Sequence, residues 1–413
     1  MSAVRRNILI VAPFLPFPAD FGGALRVFHL VRGLQRHHDV HVVAPVTPDE
    51  RDNVLALGEF CDVTAVPAVR SARQPAITSK RIDQIVSIAS IDSFLERSLD
   101  AERMQAAIDR IFLTRRVDLM QYEFSHTASV RPTRPVPTII DAHNIEYQLL
   151  QRVARTSANM AQEVFNRVEW RKVRHLEERA WKSATLVTAT STIDAAVIKH
   201  ATGVPVSVVP NGVDVRAFSN LDASRKQNTV IFTGAMRHYP NAVGARWYAE
   251  RVHPLVRDAI PNVKVSIVGA DPPPDIAALA SDSITVTGRV ERIEPYLASA
   301  SVAIVPLHAG SGTRLKILEA FAAYTPVVST TIGAEGVDAE DGIHILIRDK
   351  PDEFAEAVIA ALRNEFPITY SAERAFQLAH RHYDWDTAIL PMMLEAHEIA
   401  ISRFADMNGG GQQ

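Results

Sequence analysis

The sequence predicts an α/β chain of two doubly wound, parallel-sheet domains, and three observations predict it. Short apolar runs rich in Val and Ile alternate with longer amphipathic stretches, the pattern of parallel strands joined by helices. The runs are apolar throughout, as strands covered on both faces must be. The whole series then occurs a second time. At 413 residues, 47% hydrophobic and 22% charged, the chain is long enough for two such domains with full cores.

In order, the first series is NILIVAPF, DVHVVAPV, CDVTAVPAV, DLMQYEF, PTIIDAHN and ATLVTATS. After VSVVPNGVDV the second follows: NTVIFTGAM, NVKVSIVGA, SITVTGRV, ASVAIVPL, TPVVSTTI and HILIRD. The turn-forming Pro210-Asn211-Gly212 places the boundary, giving domains of residues 1–210 and 211–385. A last helix is expected over 386–405, and the tail 406–413, ending NGGGQQ, is expected to be disordered. Residues 73–116 read as helical and charged, too long for a simple crossover; an acceptor-side excursion and a plain helical insertion both fit. Ligands of doubly wound sheets sit at the carboxyl ends of the strands, so a cleft between two such domains is the default substrate site.

Composition narrows the function. The single cysteine, Cys61, excludes an intramolecular disulfide and fits a small core residue in a reducing compartment. The start, MSAVRRNILIVAPFLPFPADFGG, is broken by Pro13, Pro16 and Pro18 and is not read as a signal peptide; no apolar run reaches membrane-spanning length. A cytoplasmic protein is expected, with a place on the inner membrane surface left open. Near-balanced charge argues against a nucleic-acid partner. Residues 1–200 hold 26 Lys plus Arg against 22 Asp plus Glu, and the remainder 18 against 25. A basic first half suits anionic lipid or an acidic acceptor; it equally suits a solvated surface.

Three stretches could carry chemistry. Gly22-Gly23 close a proline-rich loop after the first strand and open a helix marked by Val27, Leu30, Val31 and Leu34. Such a turn lets a ligand approach the backbone and its amides favour an anion, although a plain turn has the same appearance. His143 follows a strand end, with Asp141 and Glu146 near enough in sequence to orient it or act beside it. There it could donate a hydrogen bond to a sugar hydroxyl or a departing oxygen, or be a satisfied structural histidine. The stretch HAGSGTRLKILEA, residues 308–320, leaves a strand through Gly310 and Gly312 and opens a helix with Lys316 and Glu319 on one face. A cation near a phosphate and a carboxylate accepting from two ribose hydroxyls would grip a nucleoside diphosphate, with Arg314 reaching from the side. The alternative is an ordinary helix capped by Ser311 or Thr313 with an internal Lys-Glu pair.

Taken in order, the Gly22-Gly23 turn, DAHNIEY, VVPNGVD, FTGAMRHYPN, VTGRVERIEPYLASASVAIVPL and GSGTRLKILEAFAAYTPVVST resemble the GT-B glycosyltransferases of the large retaining family 4. The resemblance is greatest to bacterial transferases of exopolysaccharide and related surface-glycan pathways. It runs from about residue 7 to 390 and is strongest from Val208 to Thr330.

The resemblance implies two Rossmann-like domains facing a cleft: an N-terminal acceptor domain and a C-terminal domain that binds the nucleotide-sugar. The last helix would cross back onto the first domain. The donor site would comprise Gly22, Gly23, Gly234, Arg237, Arg289, Ser311, Gly312, Thr313, Arg314, Lys316 and Glu319. Glu319 matches the second Glu of the family's E-x7-E motif, and His143 the histidine beside the reacting carbon. Both are expected to be catalytic, with no metal and no cofactor beyond the donor as co-substrate. The implied partners are a UDP- or GDP-sugar and a glycan or lipid-linked acceptor.

Two positions depart from the family. Ser311 stands where the first Glu of E-x7-E belongs. Ala235 and Asn241 stand where an Arg and Lys pair is frequent, with Arg237 nearby but displaced, so Lys316 and Arg314 become the expected diphosphate partners. A non-catalytic subunit of the same fold, or an epimerase or phosphorolytic enzyme, stays open beside the transferase.

Overall fold

A computed structural model describes residues 4–68, 90, 92–156, 160–219, 221, 224–309, 313–365 and 368–409. It divides into two compact units: residues 1–210 with 390–413, and residues 211–389.

The first unit holds a seven-stranded sheet of order β3-β2-β1-β4-β5-β6-β7. Its strands are β1 (Asn7–Val11), β2 (Asp39–Val46), β3 (Asp62–Pro67), β4 (Leu119–Glu123), β5 (Thr138–Ala142), β6 (Leu186–Ala189) and β7 (Val206–Val208). Every neighbouring pair is parallel. The six apolar runs of the first series supply β1 to β6, and VSVV supplies β7. All five residues of β4 and of β5 are buried, which is why these runs lack alternation.

Between strands the helices bury one stripe. In Ala101–Thr114, Met104, Ala107, Ile108, Ile111 and Phe112 face the sheet, and Asp100 caps the start by accepting from the Arg103 amide. Of the stretch 73–116, residues 73–89 and 91 lie outside the described residues; the remainder includes the helices Phe94–Ser98 and Ala101–Thr114. The C-terminal helix, Leu390–Gly409, belongs to this unit and packs along Gly22–Leu34, β5 and β6. It begins later than the sequence suggests, after a π-helical turn at Trp385–Ile389. It also continues through 406–409, four residues expected in the tail, because Asp406, Met407 and Asn408 do not break a helix and its last residue is the first of the glycine run; 410–413 lie outside the described residues.

The second unit repeats the plan with six parallel strands in the order β10-β9-β8-β11-β12-β13. They are β8 (Thr229–Thr233), β9 (Lys264–Val268), β10 (Ile284–Gly288), β11 (Val302–Val305), β12 (Val327–Ser329) and β13 (Leu346–Ile347). Its core joins Val230, Phe232, Ile267, Ile304 and Val328 of the sheet to Ile317, Leu318, Phe321 and Phe354 of the helices. In both sheets the first strand lies beside the fourth, which creates a switch point at the carboxyl ends of β1 and β4, and of β8 and β11. Among the described residues no helix is long and apolar enough to cross a membrane.

Candidate active site

The switch point of the second unit gathers five of the expected donor residues, Gly234, Thr313, Arg314, Lys316 and Glu319. Gly234 directly follows β8, with a φ of 142° that few side chains adopt. A Cβ there would lie 2.7 Å from the Asn241 amide nitrogen and 2.9 Å from Lys316 Nζ. The missing side chain is the space into which Lys316 reaches. Its Nζ donates to Asn241 Oδ1 at 2.7 Å and stands 4.5 Å from the Phe232 ring centroid, while Asn241 Nδ2 donates to the Ala235 carbonyl at 2.9 Å. The residue in the place of a family cation thus holds the remaining cation in position. Gly234→Ala is expected to lower stability by about 1–3 kcal/mol through backbone strain, read as a reduced urea midpoint at unchanged slope.

Lys316 and Glu319 lie in the opening turns of the helix Leu315–Ala322, whose first turn no side chain caps. Arg314 is the N-cap residue, so Thr313 is not the cap that the plain-helix alternative required; Ser311, Gly310 and Gly312 lie outside the described residues. Thr313 is buried, and its carbonyl accepts from Asn211 Nδ2 at 3.3 Å. Arg314 is turned inward, donating to the Ile332 carbonyl at 3.3 Å and lying 3.8 Å from Glu335. Burial pushes the Lys316 ammonium down to about 7, with Glu319 opposing and Arg314 adding. Burial likewise pushes the Glu319 carboxyl up to about 7, with Lys316 opposing and Glu294 adding. Among the described residues no side-chain donor bonds the Glu319 carboxylate, which leaves its acceptor sites for a ligand.

Arg237 and Arg289 sit elsewhere on the same edge, after β8 and β10. Both face Asp271, which follows β9, at 2.6 Å and 4.0 Å. They form an exposed cluster around a carboxylate that Lys316 does not share.

In the first unit the switch point is built differently. Gly22 and Gly23 open the helix Gly22–Leu34, and a Cβ on Gly23 would meet Phe124 Cζ at 3.0 Å, Phe14 Cζ at 3.2 Å and Phe21 Cε2 at 3.3 Å. This glycine makes room for three aromatic rings. One turn on, Arg26 is fully buried and holds Asp141 through two bonds of 2.7 and 2.8 Å, donating also to the carbonyls of Val209 and Pro210. Burial works against the Asp141 carboxylate, but the Arg26 charge and hydrogen bonds outweigh it and hold its pKa below the ordinary range.

His143, just past β5, does not take Asp141 or Glu146 as its main partner. Its Nε2 lies 2.7 Å from Glu123 Oε2, at the end of β4, against 3.5 Å from Asp141. Glu146 instead lies at the start of the next helix, where the buried Glu177 accepts from the amides of Glu146 and Tyr147. Burial and Asp141 raise the Glu123 carboxyl, while His143 and Gln121 pull it back. Glu123, Asp141 and His143 place three ligand-type atoms within 4.8 Å of one another. A cation there would have to displace or face the Arg26 guanidinium, so the cluster is an ion-pair network with its positive charge already in place.

Arg26, Glu123 and Asn241 were not singled out as functional from the sequence. Arg26 had a legible signal, since it falls on the apolar stripe with Leu30 and Leu34 at helical spacing. Glu123 had a weaker one, a carboxylate closing an otherwise apolar strand. Burial pushes the Cys61 thiol up to about 12, which disfavours the thiolate.

Comparison with known proteins supplies the family and the fold. The model of Glycosyltransferase Family 4 matches residues 22–217, and that of Glycosyl transferases group 1 matches residues 227–364. The chain belongs to the family 4 glycosyltransferases. Among solved structures, sucrose-phosphate synthase from Thermosynechococcus elongatus superposes with a TM-score of 0.73 at 16% identity, over 96% of this chain and 100% of that one. HepE of Anabaena, in complex with UDP and glucose, gives 0.67 at 15% identity, over 95% and 100%. Both likenesses are of the GT-B fold. A stretch of 164 residues is 27% identical to an uncharacterized 44.6 kDa protein in the cps region of Klebsiella pneumoniae, covering 38% of this chain and 42% of that protein. The glycosyltransferase is thus matched over less than half the length of that relative.

Proposed function

We propose that this glycosyltransferase transfers a sugar, with retention at the anomeric carbon, from a UDP- or GDP-linked donor to a glycan or lipid-linked acceptor of a surface polysaccharide. The observation that carries the proposal is the Lys316–Asn241–Gly234 arrangement beside the open Glu319 carboxylate, at the switch point of the second unit. The first unit would take the acceptor, the second the donor.

Lys316 and the uncapped first-turn amides would receive the diphosphate, and Glu319 would accept from the ribose hydroxyls. As the bond from C1 to the phosphate oxygen breaks, negative charge collects on the diphosphate, where the lysine stabilises it. The acceptor oxygen bonds to C1 on the same face, and the acceptor's hydroxyl proton leaves with the diphosphate. His143 would touch the donor sugar near that carbon. UDP bound by HepE supports a uridine donor, and the cps-region relative supports a surface-glycan product. A basic residue set in the first 200 positions fits a peripheral place at the membrane face.

Calorimetry with UDP, GDP and their sugars tests the donor, and NMR of the product's anomeric proton tests retention. A sugar transferred with the donor's anomeric configuration is the expected result. Silence across the whole panel would favour a non-catalytic subunit, to which Ser311 in the place of a family Glu lends weight.

A further inference from the structure

Behind His143 runs a line of buried polar groups that the transfer reaction, as described, leaves without a role. His397, on the C-terminal helix, is fully buried and its Nε2 lies 2.8 Å from Gln121 Oε1. Gln121 Nε2 donates to Glu123 Oε1 at 2.6 Å, and Glu123 Oε2 faces His143 Nε2 at 2.7 Å. Gln121 and Glu123 are both fully buried neighbours on one face of β4.

With the Glu123 carboxyl ionised, these contacts run in one direction. Burial lowers His397 to about 3, so it is neutral and carries one ring proton, which the short contact puts on Nε2. Gln121 then accepts with its carbonyl and donates with its amide nitrogen. The reverse orientation would set a carbonyl oxygen against the Glu123 carboxyl. With one Glu123 oxygen receiving the Gln121 amide, the other receives the His143 Nε2 proton. The second ring nitrogen, Nδ1, makes no hydrogen bond among the described residues.

The next residue fixes the ring itself. Phe124 has φ 66°, an unusual backbone for a bulky side chain, and its amide donates to the Asp141 carbonyl at 3.1 Å. The turn lays its ring on the His143 imidazole, with centroids 3.9 Å apart and planes 29° apart. Phe14 packs edge-on against the Phe124 ring, with centroids 5.8 Å apart, and the bare α-carbon of Gly23 leaves that ring its room. The imidazole is therefore held at one nitrogen and on one face.

We propose that Glu123 and Phe124 are positioning residues that lock His143 as the Nε2–H tautomer, so that Nδ1 presents a lone pair and accepts a hydrogen bond from a hydroxyl of the donor sugar. Gln121 and His397 extend the lock from the sheet into the C-terminal helix. The proposal rests on the reading of His143 as a donor-sugar contact and reverses the sense of its bond: the histidine accepts where the sequence alone suggested a donor.

The test uses the full chain with ¹⁵N-labelled histidine, its tautomers read from long-range proton–nitrogen spectra and the His143 signals assigned by their loss in His143→Asn. The parent is expected to show Nε2–H. Glu123→Gln keeps an acceptor oxygen and should keep that tautomer; Glu123→Ala and Phe124→Ala should lose it, giving a mixture. With UDP-glucose hydrolysis as the probe, Glu123→Ala should lower kcat at least tenfold while KM and UDP affinity stay within twofold, and Glu123→Gln should recover most of the loss. An unchanged tautomer in Glu123→Ala, or a parent carrying its proton on Nδ1, overturns the proposal. If the tautomers behave as expected but His143→Asn hydrolyses UDP-glucose like the parent, or the parent binds no nucleotide, the lock stands and the donor reading of the site falls.

Discussion

Lys316→Ala is expected to weaken binding of UDP or GDP by about 10- to 150-fold, the loss of one charge-assisted contact of about 1.5–3 kcal/mol. The effect should exceed that of replacing Arg237 or Arg289, because those two already face Asp271 in an exposed cluster while Lys316 is held by Asn241 and the Phe232 ring beside the helix start. Protonation gives a second, independent reading. In the free protein Lys316 lies near 7, so at pH 8 most molecules carry the neutral amine. A bound diphosphate favours the ammonium, and binding at pH 8 should take up close to one proton. Glu319, also near 7, is mostly ionised at pH 8 and contributes little to that count. The measurement is the dependence of calorimetric enthalpy on the ionisation enthalpy of the buffer. Lys316→Ala should abolish the uptake, and nucleotide binding that keeps it would remove Lys316 from the diphosphate site.

The fold could be read from the sequence because its signal is repeated and local. Every apolar run became a strand, and the restart after VSVVPNGVDV became the second sheet. Lys316 and Glu319 were legible for the same reason, as two charges one turn apart directly after a strand. What escaped depends on residues far apart in the chain. Glu123 and His143 are twenty positions apart and meet only because β4 and β5 pair in parallel with Glu123 beside Asp141. Arg26 and Asp141 are 115 apart, and Gln121 and His397 are 276 apart. Asn241 was noticed as a missing cation; that it steers Lys316 depends on a φ value at Gly234 that no spacing reveals. Helix capping misled in a simpler way, since Thr313 has a capping side chain but the helix starts one residue later.

The largest stability effect should come from Asp141→Ala. Arg26 and Asp141 are both fully buried, and removing the carboxylate takes from the guanidinium its two bonds to Asp141 and strands the Thr188 hydroxyl, which donates to Asp141 at 2.7 Å. An uncompensated buried charge of this kind costs about 3–5 kcal/mol. The loss should be confined to one unit, and hydrogen exchange can show this within a single sample. Amides of β4, β5 and β6 should exchange faster, while those of β8, β9 and β11 serve as the internal standard. Removing both partners, as in Arg26→Met with Asp141→Leu, should restore much of the protection, because the guanidinium is then not left without its carboxylate. Acid supplies the matching control. The Asp141 pKa is depressed on folding, so its contribution is complete above the unfolded value of about 3.9 and is lost only as pH falls through the lower folded one. The difference between the parent and Asp141→Ala should therefore shrink as pH falls below about 4. A gap that stayed undiminished well below pH 4 would mean that the ion pair is not what the variant has lost.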